Sequence, residues 1–472
     1  MPDSSSNTSY FLHSYGCQMN KLDSELVESR LVEHGFEPAP TEEAADVVLL
    51  NTCSVRQHAE DRVWSRLGRL RKRKRGQPEL VVGVLGCMAQ EHSRLLQARM
   101  PHVDLVVGPS AFGDIHEKIA EARCRNLAVR DADRGAGLVS VAGATARDIA
   151  ADPDRIQRNV AVRPHPSQAY ISVMRGCNMP CTYCIVPLTR GKEISRPIDA
   201  IHEEALRLVA DGVTEITLLG QTVNAYGRDL GRDVNLSRLL RRLHEIESLR
   251  RLAFVTSHPN FLSVELAETI ADLPRVSRYL HLPVQSGSDR VLRAMKRGYT
   301  VSRYLERVEL LRERVPEIEL QSDFIVGFPG ETEEDFEQTV ALMERLRFAQ
   351  SFIFKYSPRP GTSAAELVDD VVDAEKARRN TVLLEVQGRH SAERHRELVG
   401  SVAEVLVEGW SKVAGRMTGR TMQHRLVHFP TADVSLIGRY VSVRITEGLA
   451  HSMLGELVEN ADAQATLMQG QV

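Results

Sequence analysis

Three cysteines in one short stretch constrain the fold of this chain more than any other feature of its sequence. Cys177, Cys181 and Cys184 stand in a CxxxCxxC spacing within residues 174–196. Three thiolates this close on one loop can bind three corners of a cubane iron–sulfur cluster, which leaves one iron open to a small chelating ligand. A structural zinc knuckle is the alternative, but zinc takes four ligands, and the nearest histidine, His165, lies upstream of a predicted strand. The spacing therefore predicts an iron–sulfur loop suited to catalysis.

Six strand-and-helix units follow one another between residues 169 and 356, and the cysteine loop comes directly after the first strand. The predicted strands are 169–174, 213–219, 252–256, 279–284, 320–326 and 351–356. This alternation predicts a parallel sheet that forms most of a barrel, with its chemistry at the C-terminal strand ends. Polar residues and glycines cluster at those ends, where glycines let a ligand approach the backbone. The candidates are Gly220, Gln221, Asn224, Ser257, His258, Gln285, Ser286, Gly287, Asp323, Gly327 and Gly330.

The N-terminal part of the chain shows the same alternation with fewer units. Cys17, Cys53 and Cys87 each come within about two residues of the end of a predicted strand, and a helix follows each time. Ligand sites in open parallel sheets form beyond the carboxyl ends of the strands. The sequence therefore predicts a second site of three thiolates, although a single buried cysteine is more often an apolar filler. Cys124 stands after a helix and has no predicted role.

The C-terminal residues change to short alternating runs separated by Gly and Asp turns, which predicts a small antiparallel barrel. Arg416, Arg420 and Arg425, with His424, crowd one of its hairpins and suit contacts to RNA phosphates. A capping or dimerisation module is the alternative. The predicted fold class is α/β, in four parts: a parallel α/β domain at 8–124, a linker at 125–165, a partial (βα)6 barrel at 166–396 and the small barrel at 397–462.

Charge and composition restrict the classes of function. The 60 Lys and Arg residues against 63 Asp and Glu residues give no global basic field, so an RNA site must be a local patch. Residues 71–75, R-K-R-K-R, are one such patch, or else a solvated helix end. No apolar run is long enough to cross a membrane, and the first residues lack the pattern of a signal peptide. A cytoplasmic protein without a disulfide framework is expected.

CxxxCxxC with Tyr183 just before the last cysteine resembles the radical S-adenosylmethionine (SAM) superfamily. The resemblance implies a [4Fe–4S] cluster whose open iron binds SAM, in a pocket lined by the strand-end loops above. It makes Arg190 and Arg196 candidates for the SAM carboxylate or an RNA phosphate. The run S-Y-G-C-Q-M-N-K-L-D-S-E and the C-terminal G-R-x-x-x-x-R-x-V-x-F, which resembles the TRAM domain, extend the likeness to the methylthiotransferase family over nearly the whole chain.

Within that family, G-C-Q-M-N at 16–20 and S-H-P-N-F at 257–261 are similar to the branch that modifies isopentenylated adenosine 37 of tRNA. The resemblance implies addition of a methylthio group at C2, with two [4Fe–4S] clusters and SAM as cofactors. Cys17, Cys53 and Cys87 would bind the second cluster. The implied partners are tRNA carrying isopentenyladenosine 37 and a flavodoxin-type or ferredoxin-type electron donor, and a monomer is expected. The alternatives are methylthiolation of threonylcarbamoyladenosine or of a ribosomal protein, or a non-catalytic iron–sulfur RNA-binding protein.

Overall fold

The computed structural model describes residues 8–54, 57–128, 138–140 and 156–458. They fall into two compact units. The first holds the N-terminal residues up to 164 together with 175–179 and 184–193, and the second holds 165–174, 180–183 and the chain from 194 onward. The cysteine loop therefore contributes residues to both units. Most of the predicted linker at 125–165 lies outside the described residues.

The first unit is built on a six-stranded parallel sheet in the order β2-β1-β3-β4-β5-β6. Strands β3 and β4 are buried along their whole length, as expected for central strands covered by helices on both faces. The elements are β1 (Ser9–Tyr15), α1 (Gln18–Glu33), β2 (Glu37–Pro38), β3 (Val47–Thr52), α2 (Gln57–Gly76), β4 (Val81–Gly86), α3 (Cys87–Glu91), α4 (Ser93–Arg99), β5 (Leu105–Val107), α5 (Ile115–Ala128) and β6 (Leu138–Ser140).

Besides the two-residue strand β2, two elements of this unit were not predicted. The short helix α3 begins at Cys87 itself, directly after β4. The strand β6 lies in the stretch predicted as a linker, and it pairs with β5 at the edge of the sheet. Both are too short to show a periodic pattern, so only the neighbouring strand or helix holds them in place.

The central part of the chain forms two three-stranded parallel sheets, β7-β10-β11 and β12-β13-β14. A parallel bridge between Leu252 and Val276 connects β11 to the segment before β12. This arrangement confirms the predicted partial barrel. The elements are β7 (Gln168–Ser172), β8 (Met174–Arg175), α6 (Val186–Arg190), β9 (Ile194–Ser195), α7 (Ile198–Ala210), β10 (Glu215–Leu219), α8 (Leu236–His244), β11 (Arg251–Phe254), α9 (Val264–Asp272), β12 (Tyr279–His281), α10 (Asp289–Ala294), α11 (Val301–Arg314), β13 (Glu319–Val326), α12 (Glu333–Leu346) and β14 (Gln350–Lys355).

Local sequence signals explain how several helices of this barrel begin. Thr332 and Asp335 form a full capping box at the start of α12, as the sequence predicts. Asn235, Ser263 and Thr300 cap α8, α9 and α11 with their side chains. Apolar faces of α7, α8, α9 and α11 pack on one another around the sheet, and one large apolar cluster fills the space between. The strand ends therefore stand on a rigid base.

A 24-residue helix, α13 (Asp373–Arg396), leads from the partial barrel to the C-terminal barrel. The latter is closed, in the order β15-β16-β17-β19-β18, and confirms the predicted small barrel. Its strands are β15 (Val402–Trp410), β16 (Arg416–Thr421), β17 (Leu426–Pro430), β18 (Tyr440–Gly448) and β19 (Met453–Leu457). No helix among the described residues is long and apolar enough to cross a membrane.

The C-terminal barrel packs at the N-terminal ends of the parallel strands. Arg251, the first residue of β11, donates to the backbone carbonyl of Thr421. Ser277, just before β12, donates from Oγ to the Met422 carbonyl at 2.7 Å. Glu319, the first residue of β13, pairs with Arg425. These contacts lie at the opposite end of the strands from the loops predicted to bind SAM.

Candidate functional site

The structure brings Cys17, Cys53 and Cys87 to one edge of the N-terminal sheet. Parallel pairing aligns Tyr15 with Thr52, and Thr52 with Gly86, so the last residues of β1, β3 and β4 stand side by side. Each cysteine follows its strand end by one or two residues. The parallel register therefore brings three cysteines that are far apart in the chain to the carboxyl edge of the sheet.

Glycines next to these cysteines make room for the close approach. Gly16 has φ +138°, and a Cβ there would lie 2.4 Å from Cβ of Cys53. Gly86 has φ +89°, and a Cβ there would lie 2.3 Å from Oδ1 of Asn51. Only glycine fits such positions without a shift of the neighbouring strand.

The thiols of this edge are electronically different from free cysteines. A hydrogen bond with Cys53 is the main cause that lowers the pKa of Cys17 to about 6, and the Arg190 guanidinium lowers it further against the effect of burial. Burial raises the pKa of Cys87, and Arg190 opposes this rise. Thiolates are the form that binds metal, so this donor set fits an iron–sulfur cluster on three sulfurs.

Arg190 was predicted to bind the SAM carboxylate or an RNA phosphate, but in the first unit its guanidinium already has two partners. Its Nε donates to Sγ of Cys87 at 3.2 Å, and its Nη2 pairs with Oδ2 of Asp23 at 2.7 Å. Asp23 is fully buried and also pairs with Arg175 at 3.3 Å. The guanidinium is thus engaged by a cysteine and a carboxylate of its own unit. The sequence reasoning missed Asp23, although it stands in the same run as Cys17.

Backbone geometry fixes the part of the CxxxCxxC loop that belongs to the first unit. The Cys177 amide donates to the Gly191 carbonyl at 3.1 Å, and the Glu193 amide donates to Oδ1 of Asn178 at 3.1 Å. Gly176 has φ +76°, and a Cβ there would lie 2.1 Å from the backbone oxygen of Lys192. The backbone at Gly176 therefore lies so close to the backbone at Lys192 that only glycine fits there.

Cys181, in the second unit, lies against a buried arginine that the sequence reasoning missed. Nη1 of Arg297 donates to Sγ of Cys181 at 3.3 Å and to the hydroxyl of Tyr183 at 3.4 Å. Its Nε donates to the Tyr299 hydroxyl at 3.0 Å and its Nη2 to the Pro283 carbonyl at 3.1 Å. Arg297 is only 5% exposed and makes no ion pair with a carboxylate in the described chain. Such a charge fits an anionic cluster on Cys181.

The ends of β10 and β11 hold polar atoms that lack protein partners. Oε1 of Gln221, Oγ of Ser257 and Nε2 of His258 are buried and make no hydrogen bond within the described residues. Nδ1 of His258 accepts from the Asn260 amide at 3.2 Å, so Nε2 is the protonated nitrogen. Burial and the nearby Arg297 lower the His258 pKa to about 3, so the ring is neutral. Unsatisfied polar atoms at strand ends fit a polar ligand such as SAM.

The neighbouring strand ends hold a histidine–aspartate pair and, next to it, two residues with positive φ. Nε2 of His281 lies 2.9 Å from Oδ1 of Asp323, and its Nδ1 accepts from the Thr256 amide at 3.2 Å. Thr256 and Gln285 have φ +68° and +77°, which residues other than glycine rarely adopt. The Gln285 amide donates to the Asp323 carbonyl at 2.8 Å. Strain held at the carboxyl ends of the strands is typical of a working site.

The other predicted cofactor residues are placed as follows. Asn224 exchanges two hydrogen bonds with the backbone of His258 and so fixes that turn. A Cβ at Gly220 would lie 2.6 Å from Cγ of Met174, and one at Gly327 would lie 2.3 Å from Cγ of Lys376. Arg196 pairs with Glu204 at 2.7 Å and donates to a backbone carbonyl of β7, so it already has a carboxylate partner.

The three predicted RNA-binding arginines differ in their surroundings. Arg425 is mostly buried and pairs with Glu319, and burial lowers its pKa to about 10. Arg420 pairs with Glu408 at 3.1 Å, with its side chain one-third exposed. Arg416 is partly exposed and makes no ion pair among the described residues. Of the three, Arg416 thus has no carboxylate partner among the described residues and Arg420 has one, whereas Arg425 is part of the junction between the two barrels.

The basic run 71–75 ends helix α2 and is partly engaged within its own unit. Lys74 is buried and pairs with Asp104. Arg73 donates to the carbonyls of Glu42 and Ala45 at 2.5 and 2.7 Å. Cys124 is exposed on α5, outside both groups of cysteines.

Comparison with known sequences and structures fits this geometry. Residues 9–108 match the uncharacterized protein family UPF0004, residues 171–343 the Radical SAM superfamily, and residues 396–458 the TRAM domain. Among solved structures, a radical S-adenosylmethionine methyltransferase, TsrM, from Kitasatospora setae, with cobalamin and a [4Fe-4S] cluster bound, has a TM-score of 0.53 at 15% identity. The match covers 76% of this chain and 74% of that one, and it shows likeness of fold alone.

Curated relatives extend over the whole chain. A protein of Rhodopirellula baltica is 45% identical over 95% of both chains. One of Chromohalobacter salexigens is 42% identical over 96% of this chain and 98% of its own. One of Thermoanaerobacter pseudethanolicus is 42% identical over 96% and 93%. All three are named tRNA-2-methylthio-N(6)-dimethylallyladenosine synthase, and this chain belongs to their family.

Proposed function

We propose that this chain is a radical SAM transferase that adds a methylthio group to C2 of N6-isopentenyladenosine 37 in tRNA. The observation that supports this most is the pair of cysteine triads, one on the CxxxCxxC loop and one across three strand ends of the N-terminal sheet. One cysteine of each triad accepts a hydrogen bond from a buried arginine. A non-catalytic RNA-binding protein would need neither triad.

The chemistry of the substrate explains the need for radical cofactors. The C2–H bond of adenine is not acidic, so no general base could activate it. When bound, the cofactors would supply one-electron cleavage of SAM to methionine and a 5′-deoxyadenosyl radical, together with sulfur and a methyl donor. We assign Cys177, Cys181 and Cys184 to a [4Fe–4S] cluster for SAM, and Cys17, Cys53 and Cys87 to a second [4Fe–4S] cluster.

The remaining roles belong to the chain itself. Arg190 and Arg297 hold positive charge and a hydrogen bond at one sulfur of each triad, which stabilises the thiolate form and orients the ligand. Gln221, Ser257 and neutral His258 offer unsatisfied polar atoms to SAM. Asp323 holds His281 in the tautomer with a proton on Nε2. Arg190 pairs with Asp23 and Arg196 with Glu204, so neither arginine is assigned to the SAM carboxylate.

Removal of the N-terminal triad tests the proposal. The variant with Cys17, Cys53 and Cys87 all changed to Ala should keep about four iron atoms per chain instead of about eight. It should still form 5′-deoxyadenosine when reduced by a low-potential donor of the flavodoxin or ferredoxin type. It should form no methylthioadenosine on isopentenylated tRNA. If these cysteines are only apolar fillers, iron content and product will both stay unchanged.

The substrate is tested separately, by nucleoside analysis of tRNA from cells with and without the gene. Loss of 2-methylthio-N6-isopentenyladenosine in the deletion strain, with restoration by this chain, is the expected result. If the tRNA is unchanged and a ribosomal protein loses a methylthio group instead, the substrate is that ribosomal protein and the proposed tRNA substrate is wrong. Replacing Cys177, Cys181 or Cys184 by Ala gives the matched negative control, because each should abolish SAM cleavage.

A further inference from the structure

Six cations that stand near one another on the second unit lack acidic partners among the described residues. They stand on the loop after β10 and on α10, α11 and the turn between them: Arg228, Arg232, Arg293, Lys296, Arg303 and Arg307. None of the six side chains makes an ion pair or hydrogen bond to another described residue. Exposed arginines elsewhere on this unit commonly pair with a carboxylate, as Arg238, Arg241 and Arg242 do on α8. These six cations, none of them paired within the described chain, therefore form one group around neighbouring loops.

Three of these arginines line a cavity of about 720 Å³ at the carboxyl ends of β10 and β11. Arg228, Arg232 and Arg307 share it with Asn224, Asn235, Asn260 and Phe261, and no carboxylate lines it. The Arg228 guanidinium lies over the Phe261 ring, 4.6 Å from its centroid. Amide groups, unpaired guanidinium groups and an aromatic ring are the groups that bind unstacked nucleotides and their phosphates.

A second cavity, of about 800 Å³, is lined by Arg293, Lys296 and Arg303. Its two acids have local partners, since Asp289 accepts from the Val301 amide at 2.6 Å and Glu306 from a serine on its own helix at 3.3 Å. The two cavities adjoin each other, because Asn260 of the first donates to the carbonyl of Gly298, which lines the second, at 3.3 Å.

The cavities also adjoin the predicted cofactor loops. Asn224 lines the first cavity and is hydrogen-bonded twice to the His258 backbone. Tyr299 lines the second, and its hydroxyl accepts from Arg297, which contacts Cys181. An RNA strand held in both cavities would therefore pass beside the atoms assigned to SAM. The C-terminal barrel, in contrast, packs at the other end of the same strands.

We propose that this rim, defined by Arg228, Arg232, Arg293, Lys296, Arg303 and Arg307, binds the phosphates of a single-stranded RNA loop, with a base against Phe261. The inference rests on the proposed function, because it takes the substrate to be the loop of tRNA that contains adenosine 37. An acidic electron-donor protein would also complement the charge. The concave shape, the amide groups and the aromatic ring favour RNA.

The test compares two triple variants that remove the same charge. R228A/R232A/R307A removes the unpaired arginines of the first cavity, and R238A/R241A/R242A removes three paired arginines on α8. Binding of an anticodon stem-loop RNA carrying isopentenyladenosine is measured over a salt series. Each lost phosphate contact should lower the salt slope by about 0.7 to 0.9, so the rim variant should lose about 2 in slope and the α8 variant almost nothing. F261L should weaken binding without changing the slope.

Further measurements distinguish a misfolded variant, a wrong assignment of the rim and a wrong proposed function. Iron content and RNA-independent cleavage of SAM should be unchanged in the rim variant, which shows that it folds. If it does not fold, the single charge reversals R232E and R303E, both at exposed positions, replace it and should also lower the slope. An unchanged slope in all rim variants, or a loss only in the rate of reduction by a flavodoxin-type donor, would overturn the proposal. Rim-dependent RNA binding by a wild-type protein that makes no methylthioadenosine would instead overturn the proposed function alone.

Discussion

Arg425→Ala is expected to destabilise the protein, because this arginine joins the C-terminal barrel to the partial barrel. Its side chain is 12% exposed, and Glu319, its partner, is 3% exposed. Removing one partner of a buried ion pair costs about 3–5 kcal/mol, mainly because a buried charge is left behind. Arg394 still neutralises Glu319 from 2.7 Å, so the lower end of that range, about 3 kcal/mol, is the expected loss.

Thermal unfolding of the anaerobically reconstituted protein measures this loss. A change of about 3 kcal/mol corresponds to a fall in Tm of roughly 5 °C for a unit as large as the second one. The double variant Arg425→Ala/Glu319→Gln should recover part of the loss, since the buried carboxylate is gone. Arg416→Ala is the matched control, and it should change stability by less than about 0.5 kcal/mol while lowering the salt slope of tRNA binding by about 0.7 to 0.9. An unchanged Tm of Arg425→Ala together with a lower salt slope would show that Arg425 contacts RNA and does not join the barrels.

Three other predictions test the site and the fold. Gly176→Ala should prevent assembly of the cluster on the CxxxCxxC loop, because its Cβ would lie 2.1 Å from the Lys192 oxygen; iron quantification should show the loss, and full iron would contradict it. Arg297→Gln removes a positive charge next to Cys181 and should make reduction of the cluster on the CxxxCxxC loop at least tenfold less favourable. Its reduction potential should become about 59 mV more negative in an EPR-monitored titration, and an unchanged potential would show that Arg297 does not stabilise the reduced cluster. Hydrogen bonds from Arg290, Ser288 and Thr332 hold the pKa of Asp335 well below its usual range, so its carboxylate stabilises the fold above about pH 4 and stops doing so as the pH falls. Asp335→Asn should therefore cost about 2 kcal/mol at pH 7 and clearly less at pH 2, where part of the stabilisation is already lost, and an equal cost in denaturant titrations at both values would disprove the assignment.

Much of the fold could be predicted because its strands and helices have strong local signals. The six strands predicted between residues 169 and 356 all form, with bounds within a few residues of the predicted ones, because turn residues delimit their apolar runs. Helix α13 was missed although it is long, because its residues 373–396 are rich in charge and much of its burial comes from packing on β14 and α12.

Both cysteine triads can be recognised in the sequence, because a cysteine that follows a predicted strand is visible there and the carboxyl ends of neighbouring parallel strands lie on one edge of a sheet. The tertiary structure alone decided which charges serve which site. Arg190 stands close to Cys184 in sequence but pairs with Asp23 and Cys87, whereas Arg297 reaches Cys181 from far along the chain. Arg425 has the sequence pattern of an RNA contact and yet pairs with Glu319. The physical reason is that an ion pair forms wherever packing brings two long side chains together in a buried place, and a sequence does not show which charges are buried together.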